Sequence, residues 1–370
     1  MSSSVPLAPA HPLPPHDSST SAARLFRVAD GVHVWRPTPG HGWGLANCGL
    51  VTGSSAGTAS AAWIDSPYDR TLADEFRDRC APLLPAGAEL EWLFVTHGNG
   101  DHLWGWEAVP QARIVYTRET AGHIAHEPDP CDLHGLVHHG DRETLVGWYL
   151  HRHFGRYLWP RTTLPTPALT FSGVLEAAVG DTPVRMIQIP SAHTRGDAIA
   201  YLPRQQVCFA GDVLFTSSED EPGDHPVHWA GPLENVITGC DEVLATGATV
   251  IVPGHGPVVD RAGVHHHRDY LCWLRDGVLR LHGLGIPAPE AARRLIGENR
   301  DPALHLPERL AITVAMQYRH LDGAPEVPML EQVRGLAQLA WELEHPDSPF
   351  PGPRTHASDA APSSGLAEVG

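Results

Sequence analysis

The sequence predicts an α/β fold, and three observations carry the prediction. Short apolar runs alternate with helically spaced segments through most of the chain. Four of those runs, "LFVT", "MIQIPSA", "VCFAG" and "VIVPG", break off at a histidine or an aspartate. Reactive groups collect at strand ends because a rigid sheet presents its loops to one crevice. From about Arg261 the spacing becomes helical throughout, so one α/β core with a helical extension accommodates the 370 residues.

Residues 1–23, rich in Pro and Ser, lack the basic start and apolar run of a secretory signal and read as a disordered tail. The core then spans 24–260. "RLFRVADGVHVWRP", "NCGLVTG" and "ASAAWIDS" are apolar runs punctuated by Gly, Asp and Ser, which predicts strands ending at Asp65. "TLADEFRDRCAPLL" has helical spacing, with Leu72, Phe76 and Leu83 on one face. The strand "EWLFVT" leads into "HGNGDH", and "RIVYT", "VRMIQI", "QQVCFAG" and "TVIVPG" supply the later strands. Cys208, inside one of them, reads as core. In 261–346, "GVHHHRDYLCWLRDGVLRLHG", "PEAARRLIG", "PERLAITVAMQYRHL" and "EQVRGLAQLAWEL" repeat apolar residues at i, i+3 and i+4, with Pro or Gly at their ends. These helices could cap a site, pack on the sheet or form a homodimer surface. Residues 347–370 have the loose composition of a second disordered tail.

The formal charge of −17, with all 26 positive charges on arginine and no lysine, argues against a nucleic-acid partner, which would need a basic footprint. No stretch approaches the ~20 apolar residues of a membrane span, so a soluble, cytoplasmic protein is expected. The six cysteines form no C-x-x-C pair and read as buried thiols in a reducing compartment.

His97 and Asn99 lie two residues apart in an extended segment and point the same way. Gly98 and Gly100 allow turn conformations closed to other residues, so Asp101 and His102 can face the same centre. Imidazole and carboxylate are the usual donors to Zn(II) and Fe(II), and an aspartate such as Asp212 can bridge two ions. A lone histidine carries little weight in a chain with 25 of them. His265, His266 and His267 fall on a helix where adjacent residues diverge and read as surface decoration. Asp197 reads as fixing the turn that presents His193. Trp104, Trp106, Trp148, Tyr149, Tyr157, Trp159 and Trp229 could wall an apolar pocket, while the arginines of "HRHFGRYLWPRT" read as a solvated basic loop.

In order, His97-Gly-Asn99-Gly-Asp101-His102, His193, Asp212 and His255 resemble the signature of the metallo-β-lactamase superfamily, H-x-H-x-D-H followed by a His, a bridging Asp and a final His. The resemblance covers about residues 24–260. It implies an αββα sandwich with one metal site of His97, Asn99 and His193, a second of Asp101, His102 and His255, and Asp212 touching both. Asp65 matches an early aspartate that supports the ligands from behind. Asn99 replaces the second histidine, and an amide oxygen is a weak neutral ligand. One tightly bound zinc and a second, weaker ion are therefore expected, with iron or manganese as the other candidates. The resemblance further implies a hydrolase of ester, thioester, lactone or amide bonds that uses a metal-bound hydroxide, with Asp101 or Asp212 handling the proton. The rival expectations are a non-hydrolytic lyase, cyclase or decarboxylase of secondary metabolism and, third, a non-catalytic binding protein on the same fold.

Overall fold

The computed structural model describes residues 23–351 apart from 39–41, 126, 219 and 299. A seven-stranded sheet runs in chain order through β1 (Arg24–Ala29), β2 (Val32–Arg36), β3 (Cys48–Ser55), β4 (Thr58–Ile64), β5 (Glu89–Phe94), β6 (Arg113–Thr117) and β7 (Leu169–Phe171). Its neighbours are antiparallel as far as β4 and parallel beyond it. A five-stranded sheet follows, from β8 (Val174–Val179), β9 (Thr182–Gln188), β10 (Ala198–Leu202) and β11 (Val207–Phe215). After the short β12 (Gly223–Asp224), β13 (Val250–His255) lies parallel against β11, and β12 itself pairs with β14 (Leu304–His305).

The helices are α1 (Arg70–Cys80), α2 (Gly100–Leu103), α3 (Arg118–Ile124), α4 (Pro130–His139), α5 (Leu145–Phe154), α6 (Leu233–Ala245), α7 (Arg261–Gly283), α8 (Ala288–Glu298), α9 (Leu310–Asp322) and α10 (Met329–Glu344). Strand alternation decides the layers. In β4, Ala62 and Ile64 point between the sheets, where they join Phe94, Val184, Met186 and Phe209. Ala61 and Trp63 point outward instead, towards Phe76 and Cys80 of α1. On the far side Ile199 and Cys208 pack with Val236 of α6 and Leu271 of α7. Helices thus cover both outer faces of two stacked sheets, the expected αββα sandwich.

Details depart from expectation. Leu83 is 39% exposed, because α1 ends at Cys80 and Pro82 opens a separate 3-10 turn. The buried face of α1 is Ala73, Phe76 and Cys80, with Phe76 stacked on Trp63 at 4.4 Å. Cys208 is core, whereas Cys131 is exposed and Cys272 half-buried. The N-terminal tail lies outside the described residues. At the other end Trp341 Nε1 donates to the Ser348 carbonyl and Phe350 packs edge-on against the same indole. No described helix is long and apolar enough to cross a membrane.

Within the chain, the C-terminal helices both pack on the core and cap it. α7 packs on α6, and α10 packs on α5. The latter contact brings Met329, Val333 and Leu336 over the strand ends described next.

Candidate metal centre

Seven side chains come together from the loops after β5 and β9, from within β11 and from the end of β13. His97, Asn99, Asp101 and His102 follow β5, with Asp101 and His102 on the single turn of α2. His193 follows β9, Asp212 lies within β11 beside an irregularity in its pairing with β13, and His255 ends β13. Two groups have mutually close ligand atoms, His97 with His193 and Asp212, and Asp101 with His102 and His255. Asp212 reaches all four imidazoles: its oxygens lie 3.0 Å from His102 Nε2, 3.2 Å from His193 Nε2, 3.4 Å from His255 Nε2 and 3.8 Å from His97 Nε2. A Cβ on Gly254 would overlap the Asp212 carboxylate, so β13 can pass only as glycine there.

Hydrogen bonds behind the rings fix which nitrogen faces inward. Asp65 accepts from Thr96 N, from Thr96 Oγ1 and from His102 Nδ1 at 2.7–2.8 Å. Asp65 itself adopts φ 60°, a left-handed conformation that aspartate tolerates better than most residues. Thr96 spends its only hydroxyl proton on Asp65, so at 3.0 Å its oxygen accepts from His97 Nδ1. The Val227 carbonyl can only accept, so His193 Nδ1 donates to it at 2.5 Å. For His97, His102 and His193 the Nε2 is therefore the nitrogen turned to the centre, and backing of this kind is what orients metal-binding imidazoles.

The result is a cage of acceptors. His97 Nε2 is buried with no hydrogen-bond partner, and His102 Nε2 and Asp212 Oδ1, 3.0 Å apart, have only each other, a costly state unless a proton or a cation lies among them. Burial works to raise the Asp212 carboxyl, but the imidazoles of His255, His102, His193 and His97 outweigh it and hold it well below its usual range. Burial likewise opposes charge on His102, yet Asp212 and Asp65 prevail and its imidazole binds a proton far more tightly than usual. His97 is driven the other way by burial and by His102. A cavity that pulls a proton in this way suits a divalent cation, whose binding displaces that proton. The donor set of imidazole and carboxylate fits zinc, iron or manganese.

Asn99 belongs to the same cluster, its Oδ1 2.5 Å from His193 Nε2. Two acceptors at that distance repel, so the amide either turns an N–H to His193 or points its oxygen at a shared cation. Gly98 and Gly100 do not use left-handed backbone. Their requirement is space, because a Cβ on Gly100 would strike the rings of Trp104 and Tyr68. Asp197 holds the His193 turn as expected, accepting from Ala192 N, Thr194 N and Thr194 Oγ1.

Above the cluster opens a cleft of about 890 Å³, with the open solvent in it included. Trp104, Tyr149 and Trp229 line it, as do Trp43, Tyr68, Phe154 and Phe215. Tyr157 and Trp159 are buried behind that wall, bonded to the backbone of Trp43 and Tyr68. Trp106 instead donates to Thr163, and Trp148 packs on Trp341. Of the basic loop, Arg152 pairs with Glu344 and Arg156 lies over Tyr157, and neither lines the cleft. His267 is buried and held neutral, its pKa pushed down to about 4 by burial and by His266, while His266 pairs with Asp301 at the surface. Neither joins the cluster.

Sequence reasoning missed Asn47, which pins the loop carrying His255 through its Nδ2 to the carbonyls of Pro253 and Gly256, each at 2.9 Å. It also missed a polar strip beside the cleft. Trp43 Nε1 donates to the Tyr149 hydroxyl, which donates to buried Glu308 at 3.0 Å. Burial pushes the Glu308 carboxyl from 4.5 up to about 7. Across that window the native state binds more protons than the unfolded chain, so stability falls as pH rises. Glu308→Gln should remove this slope, and relative to wild type its stability should gain roughly 3 kcal/mol between pH 4 and pH 8. Urea unfolding at the two pH values checks it, and parallel profiles would refute it.

Comparison with known proteins agrees with this architecture. The sequence profile of the metallo-beta-lactamase superfamily matches residues 41–255. No curated protein sequence matches the chain. Among solved structures, a beta-lactamase domain protein from Burkholderia ambifaria is 17% identical, with a TM-score of 0.56 over 83% of this chain and 91% of that one. The stereoselective inverting sec-alkylsulfatase Pisa1 from Pseudomonas sp. is 15% identical, with a TM-score of 0.58 over 80% of this chain and 50% of that one, so this chain spans half its length. A metallo-beta-lactamase from Pontibacter korlensis is 17% identical at a TM-score of 0.47, covering 67% of this chain and 98% of that one. Such distant likenesses speak to fold alone, but the profile covers more than half of the chain and includes every residue of the cluster: the protein belongs to the metallo-beta-lactamase superfamily.

Proposed function

We propose that this protein is a metal-dependent hydrolase of small molecules, cleaving an ester, thioester, lactone or amide. The observation that carries the reading is the cluster itself, in which the Nε2 atoms of four buried imidazoles lie within 4 Å of one shared carboxylate. His97, Asn99 and His193 would hold one cation, Asp101, His102 and His255 another, and Asp212 both. Zinc is the favoured ion, with the Asp101 half binding the tighter one because Asn99 weakens the other. When bound, such a cation would lower the pKa of a water to about 7 and polarise a substrate carbonyl.

The protein's own groups divide the remaining work. Asp212, wedged among four imidazoles, holds the cluster together. The Asp101 side chain is more exposed, at 15% against 4%, and borders the cleft, so it can orient the attacking water and take its proton. The aromatic walls shield the reacting bond from bulk solvent. All six cysteines are free thiols, which suits a reducing compartment such as the cytoplasm.

Turnover of a panel of acyl esters, thioesters and lactones in ¹⁸O-labelled water tests the reading. One labelled oxygen per acid product is expected. Asn99 supports a second reading, a non-hydrolytic lyase, cyclase or decarboxylase in which the weakened half-site suppresses water attack. A product formed without label would favour that alternative and end the hydrolase proposal.

A further inference from the structure

Arg309 follows β14 and precedes α9, outside the residues matched by the superfamily profile. It is 1% exposed, yet it lines the cleft. Its guanidinium lies 4.0 Å above the Trp43 ring and 5.9 Å from the Phe215 ring. Phe215 in turn stacks on His255 at 5.1 Å with the planes 7° apart. One aromatic ring therefore separates the guanidinium from the candidate metal centre.

The hydrogen bonding of this arginine is incomplete. Guanidinium carries five N–H donors. Among the described residues Arg309 makes one long hydrogen bond, from Nη1 to the His225 carbonyl at 3.4 Å, and its Nε has no partner. The nearest carboxylate, Asp224, stands 3.7 Å from Nη2, too far for a hydrogen bond, and its Oδ2 already accepts from Gly42 N. Asp224 balances the charge in part, but it does not fill the fork. A buried guanidinium with open donors at the edge of an aromatic cleft is a receptor for an oxyanion.

We propose that Arg309 selects substrates carrying a carboxylate one ring's width from the reacting bond, on an otherwise apolar body. The planar fork of Arg309 matches an oxyanion in two-point contact, and two features favour a carboxylate over a phosphate. Asp224 beside it disfavours a second negative charge on the ligand. The cleft also carries Glu127 and lies in a chain of net charge −17, which repels a dianion further. The proposal takes the cleft to be the substrate site of the hydrolase described above, but the affinity it concerns needs no turnover.

Calorimetric titration of the full-length, metal-loaded protein with phenylacetate and with neutral phenylacetamide tests it. Wild type should bind the carboxylate at least about tenfold more tightly than the amide, the scale of a charge-assisted hydrogen bond. Arg309→Met should bind the two equally, and Arg309→Lys, which keeps the charge without the fork, should fall between. No preference in wild type, or an undiminished preference in folded Arg309→Met because the carboxylate goes to the metal instead, overturns the proposal. If Arg309→Met does not fold, a wild-type crystal soaked in phenylacetate decides: a carboxylate on the guanidinium supports the assignment, and one on the His/Asp cluster alone defeats it. A protein that shows the Arg309-dependent preference but hydrolyses nothing would refute the hydrolase and leave this assignment standing.

Discussion

Exchanging Asp212 for alanine should leave a folded protein that loses its divalent cation on gel filtration and turns over substrate more than ~100-fold slower. The scale follows from position. Removing a group that only backs a metal ligand costs roughly 10–100-fold in affinity or activity, and Asp212 is instead, among the described residues, the one carboxylate within 4 Å of all four imidazoles. Asp65→Asn supplies the internal standard. It disturbs the hydrogen bond to His102 Nδ1 without removing a ligand, so its loss should stay inside that roughly 10–100-fold range. Metal content per chain, initial rate and a thermal melt on both variants make the comparison. Undiminished metal and rate in folded Asp212→Ala would dismiss the shared-carboxylate centre.

Asn99→His should convert a centre with one tight ion into one with two. The substitution replaces a neutral amide oxygen with an imidazole nitrogen beside His97, His193 and Asp212, and imidazole is much the better donor to zinc. Space is available, because Asn99 is only partly buried and borders the open cleft. Titrating metal-free protein with Zn(II) should show two equivalents and a second affinity raised at least about tenfold, the factor that follows from roughly 1.4 kcal/mol of better ligation. An unchanged count and an unchanged second affinity would mean that the asparagine does not limit the site.

The cluster was readable from sequence because each of its members is announced locally. An apolar run breaks off at each of His97, His193, Asp212 and His255, although Asp212 lies inside β11, which continues to Phe215, and His255 is the last residue of β13. Asn47 and Arg309 carry no such mark. Asn47 acts on Pro253, 206 residues away, and Arg309 matters only because the chain returns it to Trp43. Long-range closure of this kind has no short-range signature. The helices α3, α4 and α5 escaped for a different reason. α4, for example, buries only Pro130 and Val137 among ten residues, too few to draw an apolar stripe. The aromatic wall was foreseen in kind but not in membership: Trp104, Tyr149 and Trp229 face the cleft, while Tyr157 and Trp159 brace it from behind.

The roof over the cleft comes from α10 and its floor from the sheet ends. The His/Asp cluster and this part of the cleft wall thus come from separate stretches of one polypeptide. Exchanging Met329, Val333 or Leu336 would reshape the space above the cluster while leaving the seven side chains below untouched.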